Sequence, residues 1–257
     1  MEINYQPRIR VFAGPNGSGK SKLKSDILST LGSELIGVYI NPDEIEKIIR
    51  GSGYLDLKEF KVVTTSEEII YYFCQSALLK KEDLIGDALK VTFNDENQKL
   101  GFSDIKINSY FASVISDFIR NKLLERNETF SFETVMSSPD KIEFLKKANR
   151  SGYKTYVYFI STYDPELNIS RVKKRVRHGG HNVSEDKIRT RYYRSLDLME
   201  EAIKNSWRAY VFDNSKEGGA SVLVAEANDG DLKIKLPVNE IPEWFNKYWI
   251  GKNIFLA

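Results

Sequence analysis

Gly14-Pro15-Asn16-Gly17-Ser18-Gly19-Lys20-Ser21 fits the pattern G-x-x-x-x-G-K-[ST] at every fixed position. The run Arg8-Ile9-Arg10-Val11-Phe12-Ala13 before it reads as a strand. Residues 21–31 after it read as a helix with Leu23, Ile27, Leu28 and Leu31 on one side. A strand that runs into a glycine-rich turn and out into a helix is the setting in which this pattern cradles phosphate. The glycines let the turn wrap tightly, so that successive N–H groups point inward and the helix start adds its positive dipole end. On this reading Gly14, Pro15, Asn16, Gly17, Ser18 and Gly19 line the cradle. Lys20 reaches the outer phosphates of a nucleoside triphosphate and the Ser21 hydroxyl ligates Mg²⁺.

Outward from the loop, strand-like and helix-like stretches alternate. Residues 35–40, 129–134, 153–161 and 209–213 read as further strands, and 108–126, 139–150, 167–177 and 184–204 as helices. Asn41-Pro42-Asp43-Glu44-Ile45 reads as a helix start. Residues 221–227 and 232–236 flank Asn228-Asp229-Gly230, a hairpin signal, and 243–250 reads as a short terminal helix. The expected fold is α/β: one domain over 1–257 with a parallel five-stranded sheet covered by helices on both faces. A helical insertion at 55–107, polar and irregular from Val91 onward, and a C-terminal extension at 216–257 carrying the hairpin complete the expectation.

Two acids stand at strand ends, where open α/β sheets bind ligands. Asp43 either takes a proton from an acceptor hydroxyl or caps its helix. Glu133 either orients substrate or metal-bound water, or is a solvated carboxylate; the coincidence of two such acids favours function. Arg171, Lys174, Arg175 and His178 follow i, i+3, i+4, i+7 and are expected on one helix face, with Arg191 and Arg194 as an adjacent basic pair. A charge run is commonly a solvated face. Here Gly179-Gly180 interrupts it, which permits a mobile loop, and arginine-bearing lids stabilise a transferring phosphoryl group. The two histidines lie in this loop without the further ligands of a metal site.

The bulk numbers narrow the class. The 257 residues carry a net charge of +2, which gives no reason to expect a nucleic-acid or membrane partner. The single cysteine, Cys74, cannot form an internal disulfide. The polar stretch 1–10 has no signal-peptide core, and no apolar run is long enough to span a bilayer, so the cytoplasm is the expected compartment.

In order and combination, several pieces resemble the zeta toxin family of P-loop kinases. They are Ala13 to Ser21, Asn41-Pro42-Asp43-Glu44-Ile45, Phe132-Glu133-Thr134, Arg175-Val176-Arg177-His178-Gly179-Gly180-His181 and Arg191-Tyr192-Tyr193-Arg194-Ser195. The resemblance implies a nucleoside-kinase-like sheet, ATP with Mg²⁺, and phosphorylation of a sugar hydroxyl, in the best-known members that of UDP-N-acetylglucosamine. It implies Asp43 as catalytic base, Glu133 and Thr134 on the substrate side, and Arg171, Arg175 and Arg191 in the lid, with Arg191 on the nucleotide. An antitoxin-like protein partner belongs to the same implication. Val135-Met136-Ser137-Ser138 departs from the plasmid-borne toxins, where a basic residue often follows the matching acid. The reading is thus a small-molecule kinase; the alternative is an ATPase or nucleotide-switch module that binds a protein partner.

Overall fold

The computed structural model describes residues 6–103, 105–180 and 182–251, without the side chains of 31 and 33. The first residues of the polar N-terminal stretch, and His181 of the glycine loop, lie outside it. The chain divides into two compact units, one of residues 1–36 with 131–257 and one of residues 37–130.

The strands are β1 (Arg8–Ala13), β2 (Val38–Ile40), β3 (Tyr54–Asp56), β4 (Thr92–Asn94), β5 (Lys99–Gly101), β6 (Phe130–Thr134), β7 (Lys154–Ser161), β8 (Arg208–Asp213), β9 (Val222–Asn228) and β10 (Asp231–Ile234). The main sheet has seven strands, not the expected five. The strands at 222–228 and 231–234 do not stand apart as an extension: they join its edge. In the larger unit the order is β10-β9-β8-β7-β1-β6. β1, β7 and β8 are parallel, whereas β9 and β10 return antiparallel. The β9–β10 turn has Asp229 and Gly230 at φ 51° and 87°, the two positive angles of a tight hairpin turn.

Parallel strands covered on both faces need continuous apolar runs, and β1 supplies one. Ile9, Val11, Phe12 and Ala13 are fully buried, and so are Val157 and Phe159 on β7. One face carries a row of rings, Phe12 on Tyr158 at 5.1 Å and Tyr158 on Tyr210 at 5.2 Å, both stacked. Leu23 and Ile27 of the Lys20–Leu31 helix pack against that row. The Asp140–Arg150 and Met199–Lys204 helices pack against β7, and Phe132 meets Phe144 edge-on at 5.6 Å. At the far end of the strands Lys154 and Arg208 lie over the Trp207 ring at 4.3 and 5.1 Å.

The smaller unit is organised by the Ser109–Glu125 helix, whose Phe111 is fully buried between Phe73 and Phe102. Asn108 caps it through the N–H groups of Tyr110 and Phe111. The 55–107 stretch is not wholly helical. Helices Ser66–Gln75, Ala77–Lys81 and Ile85–Ala88 stand beside a three-stranded antiparallel sheet, β3-β5-β4. The polar stretch expected to be irregular forms β4 and β5, because buried Gln98 replaces a hydrophobic anchor. Its side chain accepts from Thr64 N–H at 2.8 Å and donates to the carbonyls of Thr64 and Asp95 at 3.1 and 2.7 Å.

Among the described residues no helix is long and apolar enough to cross a membrane. Phe12 joins the ring row to the loop-bearing helix, so Phe12→Ala should cost about 3–5 kcal/mol of stability. Urea denaturation measures it, and a loss below about 1 kcal/mol would show that the row is not central to this core.

Candidate nucleotide site

β1 ends at Ala13 and the Lys20–Leu31 helix begins six residues after Gly14, so the chain reverses within the quoted motif. Gly17 and Gly19 have φ of 78° and 104°, a region that disfavours side chains. A Cβ on Gly17 would overlap the Asn168 backbone, and one on Gly19 would overlap the Asn214 side chain. The turn is therefore closed from outside by two other segments. The loop's polar groups point to an anion. Ser18 is fully buried and its Oγ has no partner among the described residues, and the same holds for buried Asn16 Oδ1. Lys20 Nζ donates to the Gly14 and Pro15 carbonyls, both at 2.9 Å, so its charge is held across the mouth of the loop. These residues fit a nucleoside triphosphate.

Ser21 Oγ donates to Glu133 Oε2 at 3.0 Å, which brings the expected metal ligand and one expected acid together. Glu133 and Thr134 are 7% and 8% exposed, not solvated strand-end groups. The Thr134 hydroxyl accepts from the Met136 N–H at 3.2 Å and closes the turn out of β6.

Asp43 stands in the smaller unit. Its helix, Pro42–Ser52, is capped by Asn41, whose Oδ1 accepts from the Asp43 N–H at 2.9 Å. The N-cap role therefore belongs to Asn41, and the Asp43 side chain is exposed on the first turn.

The basic stripe divides. Arg171 Nη1 donates to the Asn214 carbonyl at 2.9 Å, on the side of the phosphate loop. Lys174 and His178 instead line a cavity of about 580 Å³ with Glu166, Ser170, Lys173 and Arg177. His178 Nδ1 lies 2.8 Å from the Lys174 carbonyl and so carries the proton. An i, i+3, i+4, i+7 stripe spans a wide arc of a helix with 3.6 residues per turn, and here the arc is wide enough to face two ways. Arg175 is exposed beside Gly180, and Arg191 is half-buried on the Glu185–Asp197 helix.

Several polar residues of this edge escaped sequence reasoning. Asn214 Nδ2 donates to the Ser18 carbonyl at 2.7 Å. Thr162 Oγ1 donates to Asn168 Oδ1 at 2.8 Å, and Tyr192 OH donates to the Thr162 carbonyl at 2.6 Å. Burial pushes the Tyr192 phenol well above its ordinary range, so it stays a donor. The available signal was position: Thr162 and Asn214 directly follow β7 and β8, at the same sheet edge as the loop.

Residues 103–223 match the family model described as Zeta toxin. Over this segment the chain is similar to the zeta toxin family. The matched segment holds Glu133, Thr134, Arg171, Arg175, Arg191 and Asn214; the phosphate loop lies outside it. An uncharacterized protein of Haemophilus influenzae is 33% identical over 63 residues, which are 24% of this chain and 45% of that protein. Crystal structures of AvrRxo1-ORF1 with AvrRxo1-ORF2 share the fold. The one with sulphate ions has a TM-score of 0.54 at 13% identity, covering 90% of this chain and 62% of the matched one. The one with ATP has a TM-score of 0.50 at 14% identity, covering 90% and 61%. This chain thus spans less than two thirds of each of these relatives.

Gly19→Ala would drive a Cβ into the Asn214 amide at a positive φ, a strain of about 1–3 kcal/mol placed on the cradle. We expect the variant to fold by circular dichroism but to bind MgATP about tenfold or more weaker by calorimetry. Unchanged affinity would remove the loop from nucleotide binding.

Proposed function

We propose that the chain is an ATP-dependent phosphotransferase that moves the γ-phosphoryl group to a hydroxyl of a small molecule. A nucleotide sugar such as UDP-N-acetylglucosamine is the first acceptor to test. The observation that carries the reading is the loop itself: glycines closed in by neighbouring backbone, an orphaned buried hydroxyl at Ser18, Lys20 across the mouth and Ser21 on Glu133. The family match supports the acceptor class.

When bound, MgATP supplies the electrophilic phosphorus and part of the charge neutralisation. Ser21 and Glu133 would hold the metal side, the hydroxyl as ligand and the carboxylate as orienting acceptor. Lys20 exchanges two neutral carbonyl partners for phosphate oxygens. Arg175 and Arg191 deliver positive charge from the basic helices, while Arg171 braces the turn at Asn214. Asp43 accepts the proton of the attacking hydroxyl; this role rests on the resemblance around Asn41-Pro42-Asp43. Thr134 and Glu133 serve the acceptor side. An antitoxin-like protein partner belongs to the proposal, supported by the family and by the two-chain AvrRxo1-ORF1 structures.

The test is transfer from γ-labelled ATP to UDP-N-acetylglucosamine and to a metabolite extract. Wild type should label a small molecule. Lys20→Ala should lose transfer by about 3–4 kcal/mol of barrier, and Asp43→Asn should lose transfer while keeping ATP affinity. Label recovered only as inorganic phosphate in every mixture would return the chain to an ATPase or switch module. Arg175→Ala should lower kcat more than it weakens ATP binding, as for a contact made chiefly in the transition state; equal small effects on both would make that arginine a solvated surface group.

A further inference from the structure

The turn Asp213-Asn214-Ser215, which begins on the last residue of β8, faces two ways. On one side Asn214 is built into the phosphate loop. Its Nδ2 donates to the Ser18 carbonyl at 2.7 Å, its N–H donates to the Ser161 carbonyl at 2.8 Å, and its own carbonyl accepts from Arg171 at 2.9 Å. On the other side Asp213 is built into the C-terminal segment. Its carboxylate accepts from the Ser215 N–H at 3.0 Å, the Ser215 hydroxyl at 2.7 Å and Trp244 Nε1–H at 2.7 Å. Ser215 Oγ in turn accepts from the Tyr163 N–H at 3.0 Å. Trp244 is 4% exposed and Phe245 fully buried, so the donor is held by packing and not by solvent.

We infer that Trp244 is a positioning residue for the nucleotide site, acting through Asp213 and Asn214. The inference rests on the reading of the loop as a nucleotide cradle. In a trans peptide the C=O and the next N–H point in opposite directions. Fastening the Ser18 carbonyl to Asn214 therefore aims the Gly19 N–H the other way, as a donor to bound phosphate requires. A free Ser18 carbonyl could turn inward and set its negative end against the anion. Asn214 can hold it only while its turn is held, and the indole N–H on Asp213 is the fastening that the C-terminal segment adds to those from Arg171, Ser161 and Tyr163. The C-terminal segment, which carries no ligand-binding pattern of its own, thereby becomes part of the control of the phosphate loop.

The test uses AMP-PNP with Mg²⁺ and needs no acceptor. Trp207→Phe with Trp249→Phe leaves Trp244 as the only indole, and its emission should shift on AMP-PNP binding. Trp244→Phe, which keeps a ring but removes the donor, should weaken AMP-PNP binding about tenfold, the scale of one hydrogen bond to a charged group. Asn214→Ala should do at least as much, and the double variant should be no worse than Asn214→Ala alone, since both lie on one path. If Trp244→Phe fails to fold, Asp213→Asn replaces it: an amide there sets N–H against donors while keeping the size. Unchanged AMP-PNP affinity with a lowered melting temperature would make Trp244 a packing residue and overturn the inference alone, as would multiplying effects in the double variant. Failure of the wild-type chain to bind AMP-PNP would overturn the nucleotide reading and this inference with it.

Discussion

The turn at Gly17–Gly19 has no room for a side chain, because the Asn168 backbone and the Asn214 amide already occupy the places where Cβ atoms would go. Those neighbours come from the segments that leave β7 and β8, so the conformation of the loop and the register of the sheet are one constraint. The register shows it: Ala13 pairs with Phe159, and Ser161 with Asp213. β7 and β8 thus end level while β1 stops at Phe159 of its neighbour, and the polar residues that follow the three strands arrive at one edge. A one-residue slip in any of these strands would turn its core residues to the other face and lift its terminal turn off the loop. The apolar runs of β1 and β7 therefore specify the site as well as the core.

At that edge most polar groups are satisfied inside the protein. Asn214 donates to the loop backbone at Ser18, while Tyr192 donates to Thr162 and Thr162 in turn to the Asn168 side-chain oxygen. Against this background the exceptions carry information. Ser18 Oγ and Asn168 Nδ2 are fully buried and without a partner among the described residues. Each such group costs about 1–3 kcal/mol of desolvation. Local rules are broken where function requires it, and these two breaks lie at the phosphate loop.

The loop, the strands that lead to it, the helix start at Asn41-Pro42-Asp43 and the β9–β10 hairpin were legible because each is a local pattern: fixed spacing, a period, or a turn residue. Asn214 was not, since its bond to Ser18 joins positions 196 apart in the chain and leaves no period behind. Trp244 is 31 residues from the acid that it binds. The β4–β5 hairpin was hidden for a different reason. Its strands are short and polar, and a buried glutamine holds it where a hydrophobic residue would have given the alternation away. The basic stripe was legible as a stripe but not as two faces, because spacing alone does not say which neighbours a helix meets on either flank.

That division decides how the basic helices can work. Ile169, Val172 and Ile188 form a buried cluster that joins the Pro165–Arg177 and Glu185–Asp197 helices. Tyr192 ties the second helix to Thr162, and Arg171 ties the first to Asn214. On the outside Arg189 grips Glu166 at 2.7 and 3.1 Å, and Lys173 meets Glu185 at 2.6 Å. Those exposed pairs hold both carboxyl groups below their ordinary range, Glu166 by its bond to Arg189 and Glu185 by its bond to Lys173. In water they are screened and contribute little to stability, so the buried cluster and the two internal hydrogen bonds set the stiffness. Helices fixed at their roots in this way cannot close as a swinging lid without breaking buried contacts. Positive charge from such helices would have to arrive by rotation of long side chains from a fixed frame, and Arg175 is exposed on that frame next to the Gly179-Gly180 pair.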